Sequence, residues 1–337
     1  MQRPSGILTG LAVMVTLLAF CPALSQAAKK ARPAPEKPVA REVSFDLGGG
    51  VSLDMVKVAG GAFKMGSPLS PRQTAKQYKG DPETYLDHGP VHQVSLKGFL
   101  MGKFEVTRAQ FGAFVRATGY VTEAWDAGFM EGLDWSGDAW SPKEGLYWKM
   151  PGFLQSNSHP VTGISHNDAV AFCKWLSEKT GKKFRLPTEA EWECTARAGT
   201  STEFFWGDEI AGGKGFGNFC DETAQAEAET QGTRFSVNFP FEDGYVFTSP
   251  VGKFKPNAWG FYDMLGNVEE WCSDWYEAYY YDVSPKADPK GPETGEARVV
   301  RGGNWYLAPA LARSAYRSGY PPEKACDQVG FRVACDI

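Results

Sequence analysis

Helical periodicity ends near residue 200, and for about 130 residues the chain consists of short apolar pieces interrupted by Gly, Pro, Asn and Asp. The sequence contains 38 Gly and 22 Pro, spread along its length rather than clustered. Loops this long inside a compact domain need to be held by disulfides, metals or both. Helices in one half and strands with long loops in the other predict an α+β domain with little regular secondary structure.

Three capping boxes predict where the helices of the first half begin. The pairs are Thr107 with Gln110, Ser165 with Asp168 and Thr188 with Glu191. Each helical segment runs into a glycine suited to a left-handed C-cap, namely Gly119, Gly181 and Gly199. Earlier in the chain, residues 51–67 alternate apolar and polar side chains around Gly60 and Gly61, which predicts a β-hairpin.

The first residues are typical of an export signal rather than of a fold. Residues 1–27 combine Arg3, an apolar run from Ile7 to Phe20 and a small-residue cleavage site ending at Ala27, as in a secretory signal peptide. Residues 28–43 are rich in Ala, Pro and Lys and are interpreted as a flexible linker. The folded domain is expected over residues 44–337, exported to a periplasm or the extracellular space, with no membrane span after signal removal.

Charge and cysteine content restrict the partners and the redox setting. The formal net charge is −5, which does not favour nucleic-acid binding. Seven cysteines are present, and removal of Cys21 with the signal peptide would leave six. An even number in an oxidising compartment favours disulfides, although the sequence cannot choose among the pairings. No CxxC spacing occurs, so a zinc site is not expected.

Two loop clusters carry hard oxygen donors. In "YDMLGNVEEW", Asp263 and Glu270 lie seven residues apart across Gly266, and Asn218 and Asp243 stand in two neighbouring loops. Carboxylate and carbonyl oxygens held by tight turns are ligands that Ca²⁺ takes. Ordinary Asx turns and helix caps would use the same residues, so the spacing alone leaves both interpretations open.

The order of the longer motifs adds a family resemblance. "VAGGAFKMGS", "FRLPTEAEWE", "GNVEEW", "RVVRGGNW" and "GFRVA" follow one another in this chain. Together they strongly resemble the formylglycine-generating enzyme family, also called sulfatase-modifying factors, over about residues 50–337. The resemblance implies a modified C-type-lectin-like fold.

The resemblance also implies structural calcium and one disulfide. One calcium ligand set would be Asn218, the Phe219 carbonyl, Asp243 and the Tyr245 carbonyl. The other would be Asp263, the carbonyls of Gly266 and Val268, and Glu270. A family disulfide that ties a helix to the C-terminus would correspond to Cys173 and Cys335, with the last cysteine shifted by two positions. Pairing of Cys194, Cys220, Cys272 and Cys326 is left open.

This chain departs from the family pattern at the catalytic centre. In active members of the family that this chain resembles, two cysteines after the GG[SN][WY] segment hold Cu(I). Thiolate is the soft ligand that Cu(I) prefers. The resemblance aligns Leu307 and Ala312 with those cysteines. It also aligns Glu269 with an active-site Trp and Gln328 with an Asn. Copper is therefore not expected as a cofactor, and no catalytic residue is assigned.

The stretch 299–320 then has two interpretations. Arg301, Arg313 and Arg317 could bind a carboxylate or sulfate in a pocket with Trp305, Glu269 and Gln328. Alternatively, the arginines tie irregular loops together through buried carboxylate pairs. Residues 120–155, an aromatic and acidic segment, resemble a loop near the substrate groove of active relatives. His88 and His166 are interpreted as surface residues.

Two functions follow as hypotheses. The first is a non-copper binding or accessory protein that recognises a peptide, glycan or small molecule, or a partner protein encoded nearby. The second is a divergent oxidoreductase or maturation enzyme, for a sulfatase or a siderophore chromophore, with a site that does not use cysteine.

Overall fold

The computed structural model describes residues 42–134, 139–235 and 238–337, and the predicted signal peptide and nearly all of the predicted linker lie outside them. Thirteen strands are found among the described residues: β1 Glu42–Gly48, β2 Val51–Val58, β3 Gly61–Met65, β4 His92–Leu96, β5 Phe99–Gly102, β6 Phe129–Asp134, β7 Ala139–Glu144, β8 Phe184–Arg185, β9 Glu269–Trp275, β10 Arg298–Arg301, β11 Arg317–Tyr320, β12 Val329–Gly330 and β13 Ala334–Asp336. Six α-helices accompany them: α1 Pro71–Tyr78, α2 Arg108–Thr118, α3 Glu123–Ala127, α4 His166–Thr180, α5 Glu189–Arg197 and α6 Glu222–Thr230.

The first sheet joins the two ends of the described chain. Its strand order is β1-β2-β5-β13-β8, so the C-terminal strand lies between two strands from earlier in the sequence. Cys335 on β13 stands opposite Leu100 on one side and Phe184 on the other. Non-local pairing of this kind places the C-terminal residues inside the sheet, and Ala334 and Cys335 are buried.

The second sheet organises the C-terminal half. Its order is β11-β10-β9-β12, with β9 antiparallel to β10 and parallel to β12. This arrangement brings Glu269, at the start of β9, next to Val329 on β12. Two further antiparallel pairs, β3 with β4 and β6 with β7, form separate two-stranded sheets.

The three predicted capping boxes are all present. The side chains of Thr107, Ser165 and Thr188 each accept a hydrogen bond from the backbone N–H three residues on. The side chain of that third residue in turn accepts a hydrogen bond from the backbone N–H of the capping residue. Gly119 and Gly181 occupy the predicted left-handed C-caps. In α5 the left-handed C-cap is Ala198, one residue before the predicted Gly199. The side chains of Ala169, Phe172, Cys173 and Leu176, which share one face of α4 at helical spacing, are buried.

Three local predictions were wrong. The predicted 51–67 hairpin does not form, because β2 pairs with β1 and β5 while β3 pairs with β4. Gly60 between them approaches the backbone of residues 96–98 so closely that a Cβ would lie 2.7 Å from the Leu96 carbonyl oxygen. Helix α6 was not predicted, although Asp221 caps its first turn. Strand β1 begins at Glu42, within the predicted linker, because Glu42 and Val43 pair with β2.

The apolar core consists of two large clusters. One gathers α2, α4 and the first sheet around stacked and edge-on rings such as Phe111, Phe172 and Phe331. The other surrounds Trp192 on α5 and the aromatic residues of the long loops, including Phe219 and Phe239. Together with the mixed helix and strand content, these clusters confirm the predicted α+β class. None of the helices in the described part of the chain combines the length and apolar character needed to cross a membrane.

Candidate functional site

The loop between β10 and β11 contains two glycines that its path requires. Gly302 and Gly303 have φ values of 105° and 67°, which L side chains rarely adopt. A Cβ on Gly303 would also lie 2.6 Å from the Leu311 carbonyl oxygen. The loop therefore folds back on itself, and Gly303 packs directly against Ala312, one of the two positions that the resemblance aligns with copper-binding cysteines.

The three arginines of this stretch lie in buried ion pairs. Arg317 binds Glu189 with two parallel hydrogen bonds of 2.8 Å. Arg301 donates to Glu189 and Glu193. Arg313 donates to Glu203 at 2.7 Å. All three guanidinium groups are buried, so they connect the 299–320 stretch to α5 and the following loop. This geometry matches the interpretation in which the arginines tie loops together.

The same network determines the state of His88. The prediction of a surface residue was wrong, because His88 is only 1% exposed. Its Nδ1 accepts a hydrogen bond from Arg313 Nη2 at 2.8 Å. Burial, and then the charge of Arg313, lower its pKa to about 2. His88 is thus a neutral acceptor in the arginine network.

Glu269 has a different environment. Its Oε2 accepts hydrogen bonds from Asn304 Nδ2 at 3.1 Å and from the Tyr320 hydroxyl at 3.3 Å, whereas Oε1 has no partner. The side chain is fully buried and no arginine contacts it among the described residues. Burial raises the pKa of Glu269 to about 7, against the opposing hydrogen bonds.

Two further buried polar groups near Glu269 also have no partner. Gln328, whose backbone oxygen accepts from Glu269 N, leaves its Oε1 unpartnered. Trp305, which follows Asn304, leaves its Nε1 unpartnered. Buried side-chain polar atoms are hydrogen-bonded in the large majority of cases, so each of these atoms is a candidate for a partner from outside the chain.

Aromatic side chains pack against the residues that adjoin Glu269. Trp140 donates from Nε1 to Asp327 at 2.8 Å, and its ring meets Tyr306 edge-on at 4.9 Å. Phe153 stacks on Phe247 at 4.6 Å, and both rings meet Trp305 edge-on. The structure thus brings part of the 120–155 segment into contact with this region.

We call the group formed by Glu269, Asn304, Trp305, Tyr320, Asp327 and Gln328 the Glu269 site. Sequence reasoning named Glu269, Trp305 and Gln328 and missed the other three. Asn304 lies inside the quoted "RVVRGGNW" motif and offered a local signal. Tyr320 and Asp327 offered none, because their contacts with Glu269 and Trp140 depend on strand pairing and on the loop over residues 321–328.

The first predicted calcium ligand set fits a cation. Asn218 is fully buried, and its Oδ1 has no partner. Asp243 accepts from the backbone N–H groups of Phe219 and Tyr245, which places its carboxylate beside the two residues whose carbonyls were predicted as ligands. Burial and the neighbouring Asp221 carboxylate raise the pKa of Asp243 to about 7. A cation would relieve this crowding of carboxylates.

The second set fits only in part. Asp263 is buried with Oδ1 unpartnered, as a cation ligand would be. Glu270, however, binds Arg332 through both oxygens and also accepts from Trp192 Nε1 at 2.8 Å. Glu105, which was not predicted, lies in the same cluster with an unpartnered Oε2. Within the described residues, no group of three or more His, Cys, Asp or Glu side chains is arranged to hold a metal. The first predicted set contains one such side chain, Asp243, and the second contains two, Asp263 and Glu270.

The predicted Cys173–Cys335 disulfide is absent. Both residues are buried and free, as are Cys194, Cys272 and Cys326, and Cys220 is buried as well. Cys173 and Cys335 do share one apolar cluster, and burial raises the pKa of each thiol. Helix α4 and the C-terminal strand thus contribute to the same apolar cluster, whereas the implied covalent bond between them is not formed in the structure.

Comparison with known proteins agrees with this architecture. Residues 51–337 match the family described as the sulfatase-modifying factor enzyme 1-like domain. A formylglycine-generating enzyme of Thermomonospora curvata is 36% identical over 315 residues, covering 85% of this chain and 94% of the relative. The chain belongs to the formylglycine-generating enzyme, or sulfatase-modifying factor, family.

Two further matches show the range of this family. A protein of Bos taurus named inactive C-alpha-formylglycine-generating enzyme 2 is 32% identical, covering 86% of this chain and 90% of the relative. The solved structure of PvdO from Pseudomonas aeruginosa superimposes with a TM-score of 0.64 at 29% identity, covering 88% of this chain and 98% of PvdO. The chain is thus similar to a protein named as an enzyme, to one named as inactive and to PvdO.

Proposed function

We propose that this protein is a non-copper member of its family that recognises a ligand at the Glu269 site and acts as a binding or accessory protein. The observation that carries the proposal is that the two positions aligned with copper ligands hold no cysteine, whereas buried polar atoms of the Glu269 site have no partner. Leu307 and Ala312 stand where the resemblance aligns the copper-binding cysteines, and neither side chain binds copper. Three buried polar atoms nearby (Glu269 Oε1, Trp305 Nε1 and Gln328 Oε1) have no partner.

The chemistry of these atoms supports a ligand that donates hydrogen bonds. Two of the three are acceptors, and the flanking rings of Trp305 and Tyr306 suit a flat or sugar-like surface. The three arginines cannot provide a carboxylate or sulfate site without breaking their own buried pairs. A peptide, a glycan or a small molecule with amide or hydroxyl donors fits this arrangement.

A direct test uses the reaction of active family members. Purified protein is incubated with Cu(I), O₂ and a peptide containing the CxPxR sequence, and the peptide is analysed by mass spectrometry. We expect no conversion of the peptide cysteine to formylglycine. The Leu307→Cys/Ala312→Cys double variant is assayed in parallel. Conversion by the wild-type protein would overturn the proposal.

A second function is favoured by one observation. Glu269 is fully buried, and burial raises its pKa to about 7. A carboxyl group that can exchange a proton near neutral pH is the kind of non-cysteine group that a divergent oxidoreductase or maturation enzyme would use. Metal analysis after extensive dialysis separates the two functions: stoichiometric iron or copper favours the enzyme, and calcium alone favours the binding protein.

We also propose that the protein is exported and holds structural calcium. Residues 1–27 support export, and the unpartnered Asn218 Oδ1 beside Asp243 supports calcium at the first ligand set. At the second set, Asp263 could contribute to a cation, whereas Glu270 already neutralises Arg332. In such a protein calcium would hold the loops that surround the core rather than take part in a reaction.

A further inference from the structure

Two cavities open to solvent around Arg185 on β8. The larger has a volume of about 610 Å³ and is lined by residues of the β4–β5 turn, β8, the start of α5 and the chain after β13. The smaller has a volume of about 340 Å³ and is lined by residues of α4, β8 and the second sheet. Arg185 and Ser273 line both, so the two cavities adjoin.

Positive side chains outnumber negative ones in this lining. Three carboxylates are present, all of them in the larger cavity: Glu191, Asp288 and Asp336. Six cations line one cavity or both: Lys97, Lys174, Lys183, Arg185, Lys290 and Arg298. The lining thus has an excess of three positive side chains, although the formal net charge of the whole chain is −5. We call the lining of the two cavities the basic cleft.

His166 lines the smaller cavity without adding to its charge. It was predicted to be a surface residue, and this prediction was wrong, because His166 is only 5% exposed. Burial, and then the charge of Arg298, lower its pKa to about 3, so the imidazole is neutral at pH 7. The positive charge of the basic cleft therefore comes from lysine and arginine side chains.

Three of the six cations have a carboxylate partner within the cleft. Arg185 binds Glu191 with two hydrogen bonds of 2.6 and 2.7 Å, so its charge is balanced inside the chain. Lys97 and Lys183 each pair with one of the other two carboxylates, but their side chains are 90% and 78% exposed. Exposed pairs of this kind contribute little stability, so both lysines can turn toward an incoming anion.

The other three cations have no carboxylate partner. Within the described part of the chain, no ion pair forms at Lys174, Lys290 or Arg298. Lys174 and Lys290 are exposed, so their ammonium groups are hydrated and can approach a ligand. Arg298 is held in place by the Trp275 ring, 3.4 Å from its guanidinium, and by the Ser273 carbonyl. An anion that enters the cleft therefore meets cations that it does not have to displace from another acid.

The pattern of charge favours a peptide over a uniform polyanion. Asp288 and Asp336 interrupt the positive charge of the larger cavity, so a sulfated glycan, which is negative along its whole length, would be repelled there. A peptide can place neutral residues between its acidic ones. Each cavity also has an exposed apolar side chain, Val170 at 47% and Ile337 at 68%, which an apolar residue of a peptide would cover.

We propose that the basic cleft is a docking surface for an acidic, extended segment of a partner protein. Carboxylates of that segment would lie next to Lys174 and Lys290, and its apolar side chains would cover Val170 and Ile337. Complementary charge of this kind speeds association and excludes partners of the wrong charge. None of the six residues of the Glu269 site lines the cleft, so binding at the two surfaces can succeed or fail independently.

The test is fluorescence anisotropy of labelled octapeptides titrated with the full chain at pH 7 and low salt. One peptide alternates glutamate with leucine, a second carries lysine in place of glutamate, and a third carries serine in place of leucine. The glutamate–leucine peptide should bind about tenfold more tightly than the glutamate–serine peptide, and added salt should weaken it. Absence of binding, or equal binding of the lysine peptide, would overturn the assignment.

Exposed lysines allow the charge to be reversed without disturbing the core. Lys174→Glu/Lys290→Glu should weaken binding of the glutamate–leucine peptide by about tenfold or more. The matched control is Lys76→Glu/Lys253→Glu, which changes the net charge equally at exposed positions outside the cleft and should leave binding nearly unchanged. Equal weakening in the two double variants would show that overall charge, and not the cleft, attracts the peptide.

Competition on the unmodified protein distinguishes a peptide from a glycan. A heparin hexasaccharide should displace the labelled glutamate–leucine peptide only at concentrations about tenfold or more above those of the unlabelled peptide, because it meets Asp288 and Asp336 and leaves the apolar side chains uncovered. Displacement by the glycan at the same concentrations would refute the peptide assignment.

Discussion

The arginine network and the Glu269 site differ in how their buried charges are balanced. Arg301, Arg313 and Arg317 each lie within 3.2 Å of a buried carboxylate. No described arginine contacts the Glu269 carboxyl group, which instead accepts hydrogen bonds from Asn304 and Tyr320. Unpartnered buried polar atoms occur in both regions, among them Arg301 Nε and Glu203 Oε1 in the network and Glu269 Oε1 and Gln328 Oε1 in the site. The difference therefore lies in charge pairing: the network joins loops through ion pairs, whereas the Glu269 site buries a carboxyl group without a cation.

The largest expected effect comes from breaking the arginine network. Arg301→Met leaves Glu193 and Glu189 with one fewer cation in a fully buried setting. Loss of one partner of a buried pair costs about 3–5 kcal/mol, so the free energy of unfolding should fall by about 3 kcal/mol or more in urea denaturation. Lys97→Met is the control, because the Lys97 side chain is 90% exposed and its pair with Asp288 contributes at most about 1 kcal/mol. Equal effects of the two variants would contradict the structural role.

The second prediction concerns pH and the Glu269 site. Burial raises the pKa of Asp327 to about 6 from an ordinary value of 3.8. As pH rises through this interval, the unfolded chain releases the proton first, so the free energy of unfolding falls, by about 3 kcal/mol at most, and the loss is complete above pH 6.

The Asp327→Asn variant isolates this contribution. Its side chain stays neutral at every pH, so the decline between pH 4 and pH 6 should be smaller than in the wild-type protein. The absolute stability of the variant also changes, because an amide N–H replaces an acceptor of Trp140 or Leu133. The difference in slope, measured by urea denaturation across this range, is therefore the quantity to compare. Parallel slopes would show that Asp327 titrates normally.

A third prediction concerns calcium at the unpartnered Asn218 Oδ1 and the neighbouring Asp243 carboxylate. If calcium occupies the set around Asn218 and Asp243, EDTA should lower the melting temperature, with a loss of about 2–3 kcal/mol for calcium present at a hundredfold excess over Kd. In Asp243→Asn the response to EDTA should be reduced, whereas Asp126→Asn on an exposed helix should respond as the wild-type protein does. An EDTA response identical in all three proteins would place the metal elsewhere.

The smallest effect is expected at Gln328. Because its Oε1 has no partner, Gln328→Met removes a desolvated acceptor together with the amide contact to Tyr320. These changes oppose each other, and the free energy of unfolding should change by less than about 1 kcal/mol. A loss as large as that of Arg301→Met would remove the contrast between the two regions.

Features that depend on neighbouring residues were predictable from the sequence. The capping boxes at Thr107, Ser165 and Thr188 form because each bond joins residues three positions apart. The apolar face of α4 follows from helical spacing in the same way. The family resemblance, carried by motifs such as "FRLPTEAEWE", indicated the fold that the structure and the comparisons show.

Features that depend on distant contacts were not predictable. Residues 51–67 carry the pattern of a hairpin, yet the partners of β2 and β3 come from elsewhere in the chain. His88 and His166 stand in polar surroundings in the sequence, and only packing buries them. The pairing of Cys173 with Cys335 was inferred from the resemblance, and the structure retains only their shared cluster.

The sequence by itself therefore determined the family, the starts of α2, α4 and α5 and the residue types of the C-terminal stretch. Only the tertiary structure decided that Arg301, Arg313 and Arg317 form ion pairs with buried carboxylates of the same chain. It also decided that Glu269 Oε1 has no hydrogen-bond partner. The physical reason is that a local pattern specifies which hydrogen bonds a residue can make, whereas burial and long-range packing decide which of them are satisfied.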